Sequence, residues 1–201
     1  MTEICSVILA AGSSKRLGFN KLLLKIDSQP VIRKTIMPFI ESQTGDIFVV
    51  AGEHTASIAR ELAGLNVMIV HNSNHLQGMS TSITAALPFI GKAKTAFFHL
   101  GDKPFVKKAL LSRMIEYYRE SGKHIIVPVC DGIKGHPVLM SIEPYLADMY
   151  GLTGDKGLRD IIEKYPEDVL FIEADDDILF DIDTAQDIES LQKRGYTIEK
   201  G

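Results

Sequence analysis

The chain has 201 residues, 45% hydrophobic and 24% charged, long enough to bury a full core in one α/β domain and too ordinary in balance for extended disorder. A formal net charge of −4 argues against broad nucleic-acid binding, because sequence-independent affinity for a phosphate backbone needs a basic face. Cys5 and Cys130 lie far apart and form no CxxC pair, so neither a disulfide framework nor a thiolate zinc site is indicated.

In chain order, Ile4 to Ala10 is a continuous apolar run that ends in a Gly/Ser-rich segment, the pattern of a buried strand entering a loop. Glu3 precedes it, and the apolar run Val7 to Ala11 is too short for a signal-peptide core or a membrane span. A cytoplasmic protein without a membrane partner is expected. Further strands are predicted at Ile47 to Ala51, Val67 to Val70, Thr95 to Leu100 and Ile125 to Val129, with helical spacing between them at Thr55 to Leu65, Ser80 to Ile90 and Lys107 to Glu120. The alternation implies an α/β fold whose mostly parallel sheet carries helices on both faces, since parallel strands need crossover connections. After Pro128 the rhythm loosens. Asp131 to Gly135 reads as a turn, Val138 to Ser141 as a strand, Asp155 to Glu163 as a short helix and the acidic run Glu173 to Asp177 as a solvated turn. A strand near Ile178 to Ile182 and a helix from about Thr184 to Lys193 close the chain.

Ligands of open α/β sheets bind beyond the carboxyl ends of the strands, where the strand order reverses. Three segments belong there. The first, Leu9 to Gly18 with Lys21, combines small residues that let backbone N–H groups approach a ligand with the cations Lys15, Arg16 and Lys21, and reads as a polyphosphate cradle. It has neither the GxxxxGK[ST] spacing of a P-loop nor the GxGxxG of a dinucleotide fold, which disfavours an NAD-type oxidoreductase. The second, Gly101-Asp102-Lys103-Pro104, sets a carboxylate at the end of an apolar strand. Mg²⁺ is held by one or two carboxylates plus substrate phosphates, which suits a strand-end aspartate. The third holds Asp183, which is open to two roles: a metal ligand, or part of the capping box Asp183-Thr184-Ala185-Gln186 of the last helix. Gly78-Met79-Ser80-Thr81-Ser82-Ile83 is likewise open to a helix first turn or to contact with a base, ribose or phosphate. His136, in a turn before a strand, is open to packing or a substrate role.

Together these segments resemble the molybdenum cofactor cytidylyltransferase branch of the MobA-like nucleotidyltransferases over nearly the whole chain. LAAGSSKRLGFNKLLL at 9 to 24 is similar to the family's LAAGxSxRxGxxKLL signature. GMSTSI at 78 to 83, GDKP at 101 to 104, GHPVLM at 135 to 140, GDKGLR at 154 to 159 and DIDT at 181 to 184 follow in the family's order. The resemblance implies a Rossmann-like three-layer nucleotidyltransferase fold, one domain over residues 1–201, and transfer of CMP from CTP to a phosphorylated pterin, the molybdenum cofactor, which a recipient molybdoenzyme takes up. It implies that Leu9, Ala10, Ala11, Gly12 and Lys21 contact the nucleotide, with Gly78, Ser80 and Ser82 lining its pocket. It further implies that Arg16 binds phosphates, that Lys21, Arg16 and Asp102 carry catalysis, and that Asp102 holds Mg²⁺ with Asp183 as a second metal ligand. LAAG in place of LAGG tilts the nucleotide from GTP to CTP through Ala11. The chain departs from the family at Lys103, where GDMP or GDQP is usual, and at Leu158, where GDxGAR is usual; both are expected to face the acceptor. A guanylyltransferase, a sugar-phosphate nucleotidyltransferase and a non-catalytic cofactor-delivery protein are the alternatives.

Overall fold

The computed structural model describes residues 3–14, 16–91 and 93–200. Strand β1 (Ile4–Ala10) is followed by a 3₁₀ turn (Lys21–Leu23), the short strands β2 (Lys25–Ile26) and β3 (Gln29–Pro30), and helix α1 (Val31–Glu41). Next come β4 (Ile47–Ala51), α2 (Thr55–Glu61), β5 (Met68–His71), α3 (Met79–Ile90), β6 (Thr95–Leu100) and α4 (Lys108–Ser121). The remaining elements are β7 (Ile125–Cys130), β8 (Ile133–Lys134), β9 (Val138–Ser141), α5 (Leu146–Tyr150), α6 (Arg159–Lys164), β10 (Val169–Glu173), α7 (Ala185–Lys193) and β11 (Ile198–Glu199). Among the described residues no helix is long and apolar enough to cross a membrane.

The main sheet has the order β10-β7-β9-β6-β1-β4-β5, with β8 hairpinned onto β7. β1 pairs in parallel with both β4 and β6, β4 with β5, and β7 with β10, whereas β9 runs antiparallel to β6 and β7. The expected mostly parallel α/β sheet is therefore what forms. From β1 the chain adds β4 and β5 on one side and then returns to place β6 on the other, so the strand order reverses between β1 and β6. Both strands end there, in Ala10 and Leu100.

Side chains alternate between two faces along each strand, so runs that are apolar at every position are buried twice over. Ile8, Val49, Phe97, Ile126 and Leu139 join one core with α1, α2, α4 and α7. Their neighbours Val7, Val50, Phe98, Ile125 and Met140 join a second core with α3, α5 and α6. The result is three layers, helix on sheet on helix. A separate three-stranded sheet of β11, β2 and β3 packs beside the first core through Ile26.

Several elements escape the periodicity argument: α1, β10 and the short pieces β2, β3, α5 and β11. α1 carries Pro38 inside and Pro30 as its N-cap, so its sequence reads as broken although Val31, Ile32, Thr35, Ile36 and Phe39 form one buried face. β10 is an edge strand whose Phe171 is exposed, which dilutes its apolar signal. The strand expected near Ile178 to Ile182 does not form: a 3₁₀ turn (Asp176–Ile178) leads into an irregular strap outside both sheets. Ile178 and Ile182 are 1% and 0% exposed, so they are apolar because they anchor the strap to the core, not because they join a ladder. The turn expected at Asp131 to Gly135 contains β8, and the helix expected from Asp155 begins at Arg159. The acidic run ends β10 and turns outward, where Lys107 pairs with Asp175 and Asp177 at 2.9 and 2.7 Å.

At the start of α7 the capping box is formed by Thr184 and Asp187: the Asp187 N–H donates to Thr184 Oγ1 (3.3 Å) and the Thr184 N–H to Asp187 Oδ2 (2.7 Å). Asp183 precedes the cap, so its carboxylate is not used in capping. Thr184→Ala removes the cap and is expected to cost about 1 kcal/mol, lowering the melting temperature by roughly 2–4 °C in a domain of this size, as calorimetry would read.

Candidate functional site

A cleft of about 450 Å³ opens at the reversal point between β1 and β6. One wall is the loop after β1, from Leu9 through Ser14, with Arg16 and Lys21. The opposite wall is the start of α3 with Gly78, Met79 and Ser82, and Leu100, Asp102 and Asp183 close the end between them. Of the sequence-predicted residues, Leu9, Ala10, Ala11, Gly12, Arg16, Lys21, Gly78, Ser82, Asp102 and Asp183 all line this one space. Lys15 lies outside the described residues.

Lys21 is placed by its neighbours. Asn20 caps the 3₁₀ turn by accepting the Leu22 N–H (3.0 Å), and Leu22 and Leu24 sink into the first core at 3% and 1% exposure. The Lys21 N–H donates to Ser14 Oγ (3.2 Å), tying the turn back to the loop after β1. The side chain then runs into the cleft, where the ammonium donates to both Asp102 Oδ2 and Asp183 Oδ1. Arg16, on the exposed rim, donates to Asp183 Oδ2 at 2.9 Å. Asp102 is seated by its own loop: the Gly101 N–H donates to the Leu9 carbonyl (2.9 Å), and Thr35 Oγ1 of α1 donates to the Gly101 carbonyl (2.9 Å). Asp183 arrives on the strap, whose Ile182 N–H donates to the Asp102 carbonyl (3.3 Å).

Burial by itself would lower the Lys21 pKa, yet Asp102 and Asp183 outweigh it and hold the pKa above the usual lysine value. Partial burial likewise works against the Asp183 carboxylate, and the Lys21 and Arg16 charges overcome it, leaving that pKa below the usual range. Lys21 and Asp183 thus hold their charges against burial. Two carboxylates from distant parts of the chain thus converge on one cation, and the enclosed Asp102 Oδ1 takes no hydrogen bond from the described residues. That donor set fits a divalent metal of the Mg²⁺ type, which takes one or two carboxylates and completes its shell with water and phosphate oxygens. Among the described residues no three or more His, Cys, Asp or Glu side chains are grouped so that they could hold a metal ion by themselves.

The start of α3 is largely self-satisfied. Buried Asn72 donates to Thr81 Oγ1 (2.9 Å) and Ser82 Oγ (3.0 Å), and Thr81 Oγ1 donates to the Gly78 carbonyl (2.8 Å). Ser80 does not reach the cleft: it is fully buried and its hydroxyl donates to the Thr153 carbonyl at 3.1 Å. Gly78 is required where it stands, with φ of +112° and the Gly154 backbone 2.5 Å from where a Cβ would lie. The segment behind it also delivers Asp155, which lines the cleft and accepts the Met79 N–H at 3.1 Å. Asp155, His75 and Leu76 are lining residues that sequence reasoning left without a role. The GDKGLR segment was the one available signal for Asp155.

Lys103 and Leu158 do not face the cleft. Leu158 is 7% exposed and belongs to the second core. Lys103 is 6% exposed, and its ammonium turns inward to donate to the Leu179 carbonyl (2.7 Å). The expectation that both face an acceptor is corrected by packing: an apolar side chain at 158 fills space under α3, and the lysine at 103 finds its partners beneath the cleft floor. His136 also belongs to this inner layer, its ring 6.4 Å from that of His99. The His99 Nε2–H donates to the Lys103 carbonyl at 3.0 Å. Burial, reinforced by His136, pushes the His99 pKa down to about 3. Burial and the Lys103 charge push that of His136 down to about 4.

Residues 6–169 match the family model of the MobA-like NTP transferase domain. The molybdenum cofactor cytidylyltransferase of Escherichia coli strain K12 is 29% identical over 198 residues, covering 98% of this chain and 99% of that protein. A 2-C-methyl-D-erythritol 4-phosphate cytidylyltransferase of Bacillus licheniformis is 29% identical over 137 residues, 64% of this chain and 58% of that protein. Among solved structures, the Mycobacterium sp. strain JC1 homologue of Mycobacterium tuberculosis Rv0371c is 28% identical, superposes with a TM-score of 0.82 and covers 96% of each chain.

Because His99 and His136 are buried neutral, the unfolded chain binds more protons than the folded one below about pH 6.5. Their contribution to stability is therefore complete above that pH and is lost as pH falls toward about 4 for His136 and about 3 for His99. Urea unfolding between pH 7.5 and 5 is expected to lose about 1.4 kcal/mol per pH unit for each histidine below pH 6.5. His99→Gln should remove roughly half of that slope; equal slopes would contradict the assignment.

Proposed function

The chain belongs to the family of MobA-like NTP transferase domains, and on that premise we propose that it is a metal-dependent cytidylyltransferase acting on the phosphorylated pterin of the molybdenum cofactor. The observation that carries this reading is the convergence of Lys21, Asp102 and Asp183 at the strand-order reversal, in a cleft whose wall after β1 is built of the small residues Ala10 to Ser14. The pterin acceptor is supported by the similarity to the Escherichia coli enzyme, which extends over nearly the full length of both chains. CTP is favoured over GTP by Ala11 in the LAAG segment. We take residues 1–201 as one nucleotidyltransferase domain, working in the cytoplasm and handing its product to a recipient molybdoenzyme.

In this reading the backbone from Leu9 to Gly12 and at Gly78, with the side chain of Ser82, receives the nucleotide. Arg16, on the rim and 71% exposed along its side chain, reaches the phosphates. Lys21 leaves the carboxylates and follows the charge that builds on departing pyrophosphate. Asp102, with Asp183, would hold the metal, which when bound would supply charge neutralisation of the triphosphate and Lewis-acid polarisation at the α-phosphorus. The acceptor's terminal phosphate attacks that phosphorus in line, one P–O bond forming as the bond to pyrophosphate breaks. No covalent intermediate on the protein is required. Catalysis is positioning and fixed electrostatics: two polyanions that repel each other are held together by pre-oriented cations.

Thermal unfolding with CTP, GTP, ATP and UTP, each with and without Mg²⁺, tests the nucleotide assignment. Ligand at a hundred times its dissociation constant adds about 2.7 kcal/mol, hence a shift of roughly 5–11 °C at 2–4 °C per kcal/mol. A Mg²⁺-dependent shift selective for CTP is expected; selectivity for GTP would move the assignment to guanylyl transfer. Asp102→Asn and Lys21→Ala should each lower turnover by about 10²–10³, and near wild-type turnover in both would sink the proposal.

A further inference from the structure

Beneath the cleft floor lies a polar layer that phosphoryl chemistry does not touch. Its cation is Lys103, next in sequence to Asp102. Besides the bond to the Leu179 carbonyl, the Lys103 ammonium stands 3.7 Å from Asp181 Oδ2. Both partners belong to the strap between the 3₁₀ turn at Asp176–Ile178 and α7, the stretch that delivers Asp183.

The strap pairs with no strand, so a ladder cannot set its register. Its apolar anchors, Ile178 and Ile182, fix its depth. Ile178 packs so closely on Gly135 that a Cβ there would come within 2.6 Å of its side chain. Lateral register depends on polar ties: His136 N–H to the Ile178 carbonyl (3.4 Å), Ile182 N–H to the Asp102 carbonyl (3.3 Å), and the Lys103 ammonium. The last is the shortest and the only charged one of these three. Charge gives a second reason for a lysine here. Asp102, Asp181 and Asp183 crowd one end of the sheet; Lys21 pairs with the first and third, and Arg16 with the third. Lys103 faces the second. An ammonium this buried is unfavourable unless it is paired and hydrogen-bonded, and here both conditions are met by the strap.

We propose that Lys103 is a positioning residue: it clamps residues 179–183 to the Asp102 loop so that the Asp183 carboxylate faces that of Asp102 across a single cation. This rests on the reading of Asp102 and Asp183 as the metal carboxylates. Methionine at 103 would fill the same space while leaving the Leu179 carbonyl without its donor and Asp181 without its counter-charge. Arginine keeps both the charge and the donors.

The test uses the full chain as wild type, Lys103→Met and Lys103→Arg, with two readouts. Mn²⁺ alone is titrated and free Mn²⁺ followed by electron paramagnetic resonance; backbone hydrogen exchange is followed at residues 179–183 and in β1 and β6. Lys103→Met is expected to bind Mn²⁺ about tenfold more weakly, the loss usual for an outer partner of a metal ligand. It should also exchange faster at Ile182 while β1 and β6 keep their protection, and Lys103→Arg should restore both properties. Unchanged Mn²⁺ affinity and unchanged Ile182 exchange in Lys103→Met would overturn the proposal, as would a loss of protection spread evenly through the sheet. Asp102→Asn separates the two readings. If it binds Mn²⁺ as well as wild type does, the metal assignment fails, and the Ile182 exchange alone decides whether the clamp stands.

Discussion

The ammonium of Lys21, held between Asp102 and Asp183, is the interaction on which the working end of the molecule depends. The lysine lies 81 residues from one carboxylate and 162 from the other, so the contact forms only when three separate segments meet. Two carboxylates brought this close repel each other, and in a partly enclosed site that repulsion is several times stronger than in water. A cation between them is what makes the approach stable.

The rest of the fold can be seen as the support of that meeting point. β1 and β6 lie side by side at the reversal of strand order, so the loops that follow them must diverge and leave a crevice. Leu22 and Leu24 pin the lysine-bearing turn to one core. Thr35 of α1 reaches across to hold the Asp102 loop, and the buried side chain of Asn72 secures the first turn of α3 on the far wall. Rigid elements place the groups, and short loops carry them.

Below the cleft the protein keeps a second set of polar groups, in which His99 and Lys103 are buried and His136 and Asp181 are only partly covered. His99 and His136 are neutral there, and the Lys103 ammonium is satisfied by a carbonyl and a carboxylate. The layer joins the antiparallel strand β9, the Asp102 loop and the strap, three pieces that share no continuous hydrogen-bond ladder. Polar ties do what a ladder would do elsewhere.

Local signals decided much of this protein. A run such as IFVVA is apolar at every position, and TAFFHL is mostly so; only a strand covered on both faces tolerates that, so the sheet and its two helical layers were legible in the sequence. GDKP likewise placed Asp102 just past a strand end, and LAAGSSKRLGFNKLLL and DIDT pointed to Lys21 and Asp183, although the strand expected before Asp183 does not form. The strap was not legible: Ile178 and Ile182 look like strand residues because anchoring to a core and pairing in a sheet select the same apolar side chains. Nor could sequence separate Ser82, which lines the cleft, from Ser80, which is turned into the Thr153 carbonyl, since successive positions on a first helical turn differ only by rotation. The tertiary structure alone decided the direction of Lys103 and the seat of Leu158. A side chain's environment there is made by residues far along the chain, and no local pattern encodes which of them arrives.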